Sequence, residues 1–198
     1  MAPVSGKPAD KASDTRTGRS WTLNRLDVKS FAQQQAQLEG HETLQKYERL
    51  MTESQGLGGD LALNWRAMGE LRASGGTDHA WLHLEADTRV PLTCQRCLLP
   101  VETPLTVDRW FRFVRDEATA LAEDDEAEED LLSLEGDFDL QGLIEDELLM
   151  ELPLVPVHET CPTDVKLAVA DVAFEAEATD RPHPFAGLAV LKRDKPGR

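Results

Sequence analysis

Residues 61–72 read Leu-Ala-Leu-Asn-Trp-Arg-Ala-Met-Gly-Glu-Leu-Arg, and their period decides the fold. Leu61, Leu63, Trp65, Ala67 and Leu71 occupy alternate positions, with Asn64, Arg66, Glu70 and Arg72 between them. A period of two sends the first set to a core face and the second to water, the signature of a half-buried strand. Ser74-Gly75-Gly76-Thr77-Asp78 reads as a hairpin turn. A second strand alternates through Ala80, Leu82, Leu84, Ala86, Val90 and Leu92, and a third through Val101, Thr103, Leu105, Val107, Phe111 and Phe113. Short links make neighbouring strands antiparallel, so a meander is predicted near 60–73, 79–93 and 100–114. One face of that sheet needs a cover, and helices are the natural one.

The flanks change to a helical period. Asp27 caps a helix carrying Val28, Phe31, Ala32 and Gln35. Gly40 interrupts it, and Thr43 caps a second piece through Leu44, Tyr47, Leu50 and Met51. Downstream, Asp139 precedes the stripe Leu140, Leu143, Ile144, Leu148 and Leu152, which Pro153 ends. The fold class is therefore α+β: an antiparallel β-meander covered by helices near 28–52 and 140–152. Residues 1–22 read as a disordered tail and 23–193 as a single domain, with an acidic, mobile linker at about 115–130. Leu131-Leu132-Ser133-Leu134 reads as a short strand, and Phe185, Leu188 and Leu191 as a final docking helix.

The net charge of −16 is unevenly placed. Residues 116–165 hold 18 of the 37 acids and no lysine or arginine, leaving 19 acids against 21 bases elsewhere. That segment repels phosphate backbones and attracts basic partners, or serves as a solvated surface. No apolar run approaches the roughly 20 residues that span a bilayer, and no apolar leader follows the first lysines. Three cysteines cannot all pair within the chain, which favours a reducing compartment and a cytoplasmic location.

Cys94-Gln95-Arg96-Cys97 falls at the turn between the second and third strands. Two cysteines at this spacing can aim both sulfurs at one point, which serves a zinc knuckle or a redox dithiol. His158-Glu159-Thr160-Cys161 completes a Cys3His set, enough for a closed tetrahedral zinc site, although 61 positions separate Cys97 from His158. Reduced thiols packed beside the core account for the same residues without a ligand. Glu145, Asp146 and Glu147 are consecutive, so on a helix they point about 100° apart and make no acid/base pair. No nucleophile elbow, Walker loop or dinucleotide fingerprint is present. His79 and His83 share one strand face, read as wet in preference to metal-binding.

Several motifs then resemble one family. Cys94-Gln95-Arg96-Cys97-Leu98, Asp139-Leu140 through Ile144-Glu145-Asp146-Glu147-Leu148, and Leu152-Pro153-Leu154-Val155-Pro156-Val157-His158 occur in order. They are followed by Cys161, Pro182, Pro184-Phe185 and Leu188, and together these look like the YceD family over about residues 24–193. The resemblance implies a non-enzymatic cytosolic role in synthesis, processing or stability of large-subunit ribosomal RNA, with no catalytic residues to carry over; the expected partners include no membrane and no small-molecule substrate. It also makes one structural zinc at Cys94, Cys97, His158 and Cys161 more plausible. Such acidity is poorly suited to generic RNA binding. One reconciliation is a local RNA patch built from Arg66, Arg72, Arg109 and Arg112. The other, favoured here, is docking of a basic ribosomal protein by Glu145, Asp146 and Glu151 with help from Asp116–Asp130. The competing readings are a zinc-dependent or thiol enzyme on the Cys/His set, and a small interaction module with no ribosomal role.

Overall fold

The period-two stretch forms the second strand of a five-stranded sheet. The computed structural model describes residues 11–14, 16, 18–74, 77–134, 138–166, 169 and 185. Along the chain run β1 (Lys11–Ser13), β2 (Ser20–Thr22), α1 (Val28–Gln33), β3 (Gln37–Thr43), α2 (Glu48–Glu53), β4 (Ala62–Ser74) and β5 (Thr77–Thr93). They are followed by β6 (Pro100–Val114), α3 (Glu117–Glu123), β7 (Asp130–Ser133) and α4 (Leu140–Met150). The chain divides into two compact units, Met1–Thr160 and Cys161–Arg198, and every one of these elements belongs to the first. The sheet order is β3-β4-β5-β6-β7, antiparallel except for the β6–β7 pair.

Alternation sorts the residues as the sequence predicts. Leu63, Trp65 and Ala67 of β4, Leu82, Leu84 and Val90 of β5, and Leu105, Val107, Phe111 and Phe113 of β6 are all buried. Leu71 keeps the phase but is 40% exposed. α1 and α4 cover this face. Asp27 caps α1 by accepting the Ser30 N–H at 3.1 Å, and Val28, Phe31 and Ala32 form its buried side. Asp139 caps α4 by accepting the Gly142 N–H at 2.9 Å, and Leu140, Ile144 and Leu148 are fully buried. Each such side chain contributes about 1.5–3 kcal/mol by leaving water. α1 sits close enough to β4 that a Cβ on Gly69 would lie 2.5 Å from the Phe31 ring.

Three elements differ from the sequence expectation. The helical region 28–52 is split by a strand: β3 pairs with β4 from Gln37↔Met68 to Thr43↔Ala62. It is an edge strand with one buried apolar residue, Leu38, so it carries no period-two signal. Gly40 is there because any side chain would overlap the Trp65 ring. Thr43 makes no side-chain cap; a 3-10 turn over Leu44–Lys46 precedes α2. The acidic stretch expected as a mobile linker holds α3, capped by Asp116, which accepts the Thr119 N–H at 2.8 Å. α3 is the crossover that lets β7 run parallel to β6, since a parallel pair cannot be joined by a tight turn.

The tail expected over residues 1–22 lies partly, at 1–10, outside the described residues. Within the rest, β1 and β2 pair as a two-stranded ribbon, and Trp21 packs edge-on against Phe31 at 5.4 Å. Leu188 and Leu191 of the expected docking helix also lie outside the described residues. Among the described residues no helix is long and apolar enough to cross a membrane.

Candidate metal centre

The turn between β5 and β6 is a tight knuckle. Leu98 donates its N–H to the Cys94 carbonyl at 2.9 Å, and Cys94 donates to Leu99 O at 3.0 Å. Leu98 adopts φ +61°, a left-handed conformation uncommon for a bulky residue and tolerated where the surroundings fix it. The turn lifts Cys94 and Cys97 to one side. Cys94 is fully buried and Cys97 half-buried.

The segment after α4 returns to this knuckle. Gln95 donates its N–H to Pro156 O at 2.9 Å, an intersegment bond that sets the register. His158 then arrives over the sulfurs, its N–H 3.5 Å from Cys94 Sγ and its Nδ1 3.4 Å from Cys97 Sγ. Its Nε2 is 3.1 Å from the Pro100 carbonyl oxygen. A carbonyl only accepts, so Nε2 carries the proton and Nδ1 turns its lone pair toward Cys97. Metal-binding histidines show this pattern: one ring nitrogen is held by an acceptor, the other is presented to the metal.

The two sulfurs and a His158 ring nitrogen lie within 4.8 Å of one another. A tetrahedral zinc with bonds near 2.3 Å spaces its sulfurs about 3.8 Å apart, a separation that falls within this bound. Burial alone would push the Cys94 thiol up. It is outweighed by the backbone N–H groups of Cys97, His158 and Arg96 and by the His158 side chain, which together draw it down to about 5. The knuckle is therefore already arranged for a thiolate. Cys161, the fourth expected ligand, is the first residue of the second unit and is half-buried.

The acids expected to dock a partner are engaged within the chain. Glu145 Oε1 accepts the Arg49 N–H at 2.7 Å and the Leu50 N–H at 3.3 Å, and its Oε2 accepts Arg49 Nε at 3.0 Å. It thus caps the N-terminus of α2 from across the fold. Asp146 also binds the Arg49 guanidinium, and Glu151 lies 3.6 Å from that of Arg109. The arginines of the expected RNA patch are likewise engaged. Arg66 binds Glu39 and Glu85, Arg72 binds Glu70, Arg109 binds Asp130, and Arg112 binds Glu123 and Glu129. His83 stacks on Trp110 at 4.2 Å with Nε2 2.7 Å from Asp108, while Arg72 lies over both Trp81 and Trp110. The sequence gives no sign of the carbonyls of Pro100 and Pro156, because a backbone acceptor belongs to every residue type.

The family model for large ribosomal RNA subunit accumulation protein YceD matches residues 82–192. The chain belongs to the YceD family. The match takes in β5 from Leu82 onward, the knuckle, β6, α4 and the segment that carries His158. The chain is also similar to the large ribosomal RNA subunit accumulation protein YceD of Haemophilus influenzae, 40% identical over 108 residues. That alignment covers 52% of this chain and 60% of the relative, so the chain spans less than two thirds of the relative it matches. No solved structure matches.

Proposed function

We propose that this chain is a non-enzymatic factor supporting accumulation of large-subunit ribosomal RNA, with one structural zinc held by Cys94, Cys97, His158 and Cys161. The role follows from membership of the YceD family and from the name its Haemophilus relative carries. The zinc follows from one observation: Cys97 meets His158 Nδ1 at 3.4 Å while Nε2 is held on a carbonyl. Cys161, three residues beyond His158, is the fourth ligand that the sequence offers. Four protein ligands leave no open coordination position, which makes the metal structural and argues against the hydrolytic alternative.

A factor of this kind works by binding. Glu117, Asp124, Asp125, Glu126 and Glu128, around α3, make no ion pair among the described residues, whereas Glu145, Asp146 and Glu151 are each set against an arginine. Docking of a basic ribosomal protein is therefore assigned to the α3 region, with the helix acids contributing mainly to the fold. Complementary charge of this sort raises association rate and specificity, and salt screens it over about 8 Å. Direct contact with pre-rRNA is the weaker reading, because the candidate arginines already face carboxylates. A cytoplasmic site of action follows from the role.

The test is affinity capture of the tagged chain from cells, with and without RNase, together with elemental analysis of the purified protein. Large-subunit assembly proteins that survive RNase, and about one zinc per chain, are expected. Loss of all such partners under RNase would replace protein docking with RNA binding. Absence of zinc after metal-replete expression would remove the metal.

A further inference from the structure

Beyond the contacts that His158 makes with Cys94, Cys97 and Pro100, the knuckle holds the segment that delivers it through one backbone bond and one side chain. Besides the Gln95–Pro156 bond, the Arg96 guanidinium donates through Nη2 to the carbonyl of His158, with a longer reach of 3.4 Å to that of Glu159. Arg96 lies between the two cysteines in sequence and is exposed, and it has no ion pair among the described residues. Its charge is directed at carbonyl oxygens of the ligand-bearing segment. A planar guanidinium with donors in a fixed fork holds such an acceptor with less loss of freedom than a lysine would.

We infer that Arg96 is a positioning residue, a latch that holds His158 at the C-x-x-C pair before any metal arrives. The inference rests on the zinc reading above. Segment 151–160 contributes no helix or strand, and Leu154, Val155 and Val157 are exposed, so apolar packing does little to hold it down. The other restraints on His158 are the Gln95–Pro156 bond, the bond from its own N–H to Cys94 Sγ, the contact of its Nδ1 with Cys97 Sγ, and its Nε2 contact with Pro100 O. Arg96 acts on the His158 carbonyl itself, one peptide from the ring that must face Cys97. Without the latch, each zinc-binding event must order the segment, and affinity falls by the fraction of chains already closed. Neighbours that orient a ligand typically change metal affinity about 10- to 100-fold.

The experiment compares wild type, R96A and R96K in the full chain. Zinc affinity is measured by competition with a chromophoric chelator, and the metal-free proteins are followed by amide hydrogen exchange at Gln95 and His158 and by the His158 ring resonances. R96A is expected to bind zinc about 10- to 100-fold more weakly than wild type. It should exchange the Gln95 amide faster, keep the far-ultraviolet circular dichroism of wild type, and be partly restored by R96K. Equal zinc affinity in R96A and wild type, or unchanged exchange at Gln95, would overturn the latch. If wild type binds no zinc, the zinc reading fails. The exchange data on the metal-free chain then still decide whether Arg96 holds the segment.

Discussion

Replacing Glu145 should weaken the fold itself. Its carboxylate is 13% exposed and accepts two backbone N–H groups at the start of α2, at 2.7 and 3.3 Å, plus Arg49 Nε at 3.0 Å. α2 has no cap of its own, since the side chain of Tyr47 at that position makes no capping bond. Loss of an N-cap costs about 0.5–2 kcal/mol. The half-exposed Arg49 pair adds at most about 1 kcal/mol after solvent screening. Leu50 is fully buried, so its N–H lies where water replaces the lost acceptor poorly. Together these give about 2 kcal/mol for E145A and about half of that for E145Q, which keeps one acceptor oxygen. D146N is the control, because Asp146 is 55% exposed and meets only a half-exposed arginine; a change below about 0.5 kcal/mol is expected. Urea denaturation read by circular dichroism gives all three values from midpoint shifts at constant slope. If E145A and D146N move the midpoint equally, or neither moves it, the cross-fold cap is refuted and Glu145 returns to the pool of surface acids.

Gly69→Val should destabilise the chain by about 1–3 kcal/mol, because even a Cβ there meets Phe31 at 2.5 Å and α1 must lift off β4; thermal unfolding measures it. Two carboxyls give opposite pH signs. Burial raises the Glu147 carboxyl above its ordinary 4.5, against the pull of Arg109, so its native state holds the proton more tightly than the unfolded chain and stability falls as pH climbs from about 4.5. Glu147→Gln should flatten that limb. Asp116 is drawn from 3.8 to about 2 by its bonds to the Thr119 side chain, to Arg115 and to the Thr119 N–H. Its contribution is therefore complete above about pH 4 and lost toward pH 2, and Asp116→Asn should remove that acid limb in a pH series of denaturation midpoints.

The strands and the two covering helices were legible because each carries its own period. β4, β5 and β6 alternate over long runs, and Asp27 and Asp139 are caps at the predicted places. β3 and α3 were not legible, for different reasons. β3 is specified by its neighbour: it pairs along β4 and leaves room at Gly40 for the Trp65 ring, while its own residues are mostly polar. α3 hides in an acidic run that reads as solvated chain. What orders it is local and non-local together, an Asp116 cap and the bonds of Arg112 to Glu123 and Glu129. The candidate centre was legible as a set of ligand types and not as a geometry. Its closing bonds run between segments more than fifty residues apart and use carbonyls that no residue type announces.

Net charge is where sequence and structure most need to be read together. The acidic segment looks like one attractive surface, yet its members have separate employments. Asp116, Asp139 and Glu145 cap helices; Glu123 and Glu129 fix Arg112; Asp130, Glu147 and Glu151 surround Arg109. Glu147 shows what that costs: its Oε2 lies 3.2 Å from Arg109 Nε without hydrogen-bond geometry, and burial raises its carboxyl. Charges used in this way are largely cancelled beyond the nearest neighbour and steer a partner weakly. Among the described residues, the largest group of these acids left without an ion pair lies around α3, a smaller and more local source of field than the formal charge suggests. A basic partner that docks there meets a capped helix tied to β6, so little of its binding energy goes into ordering the receptor. Neutralising Asp124, Asp125, Glu126 and Glu128 to amides should then lower capture and its salt dependence while leaving the urea midpoint unmoved. E145A should do the reverse, and that opposition separates acids that recognise from acids that hold the fold.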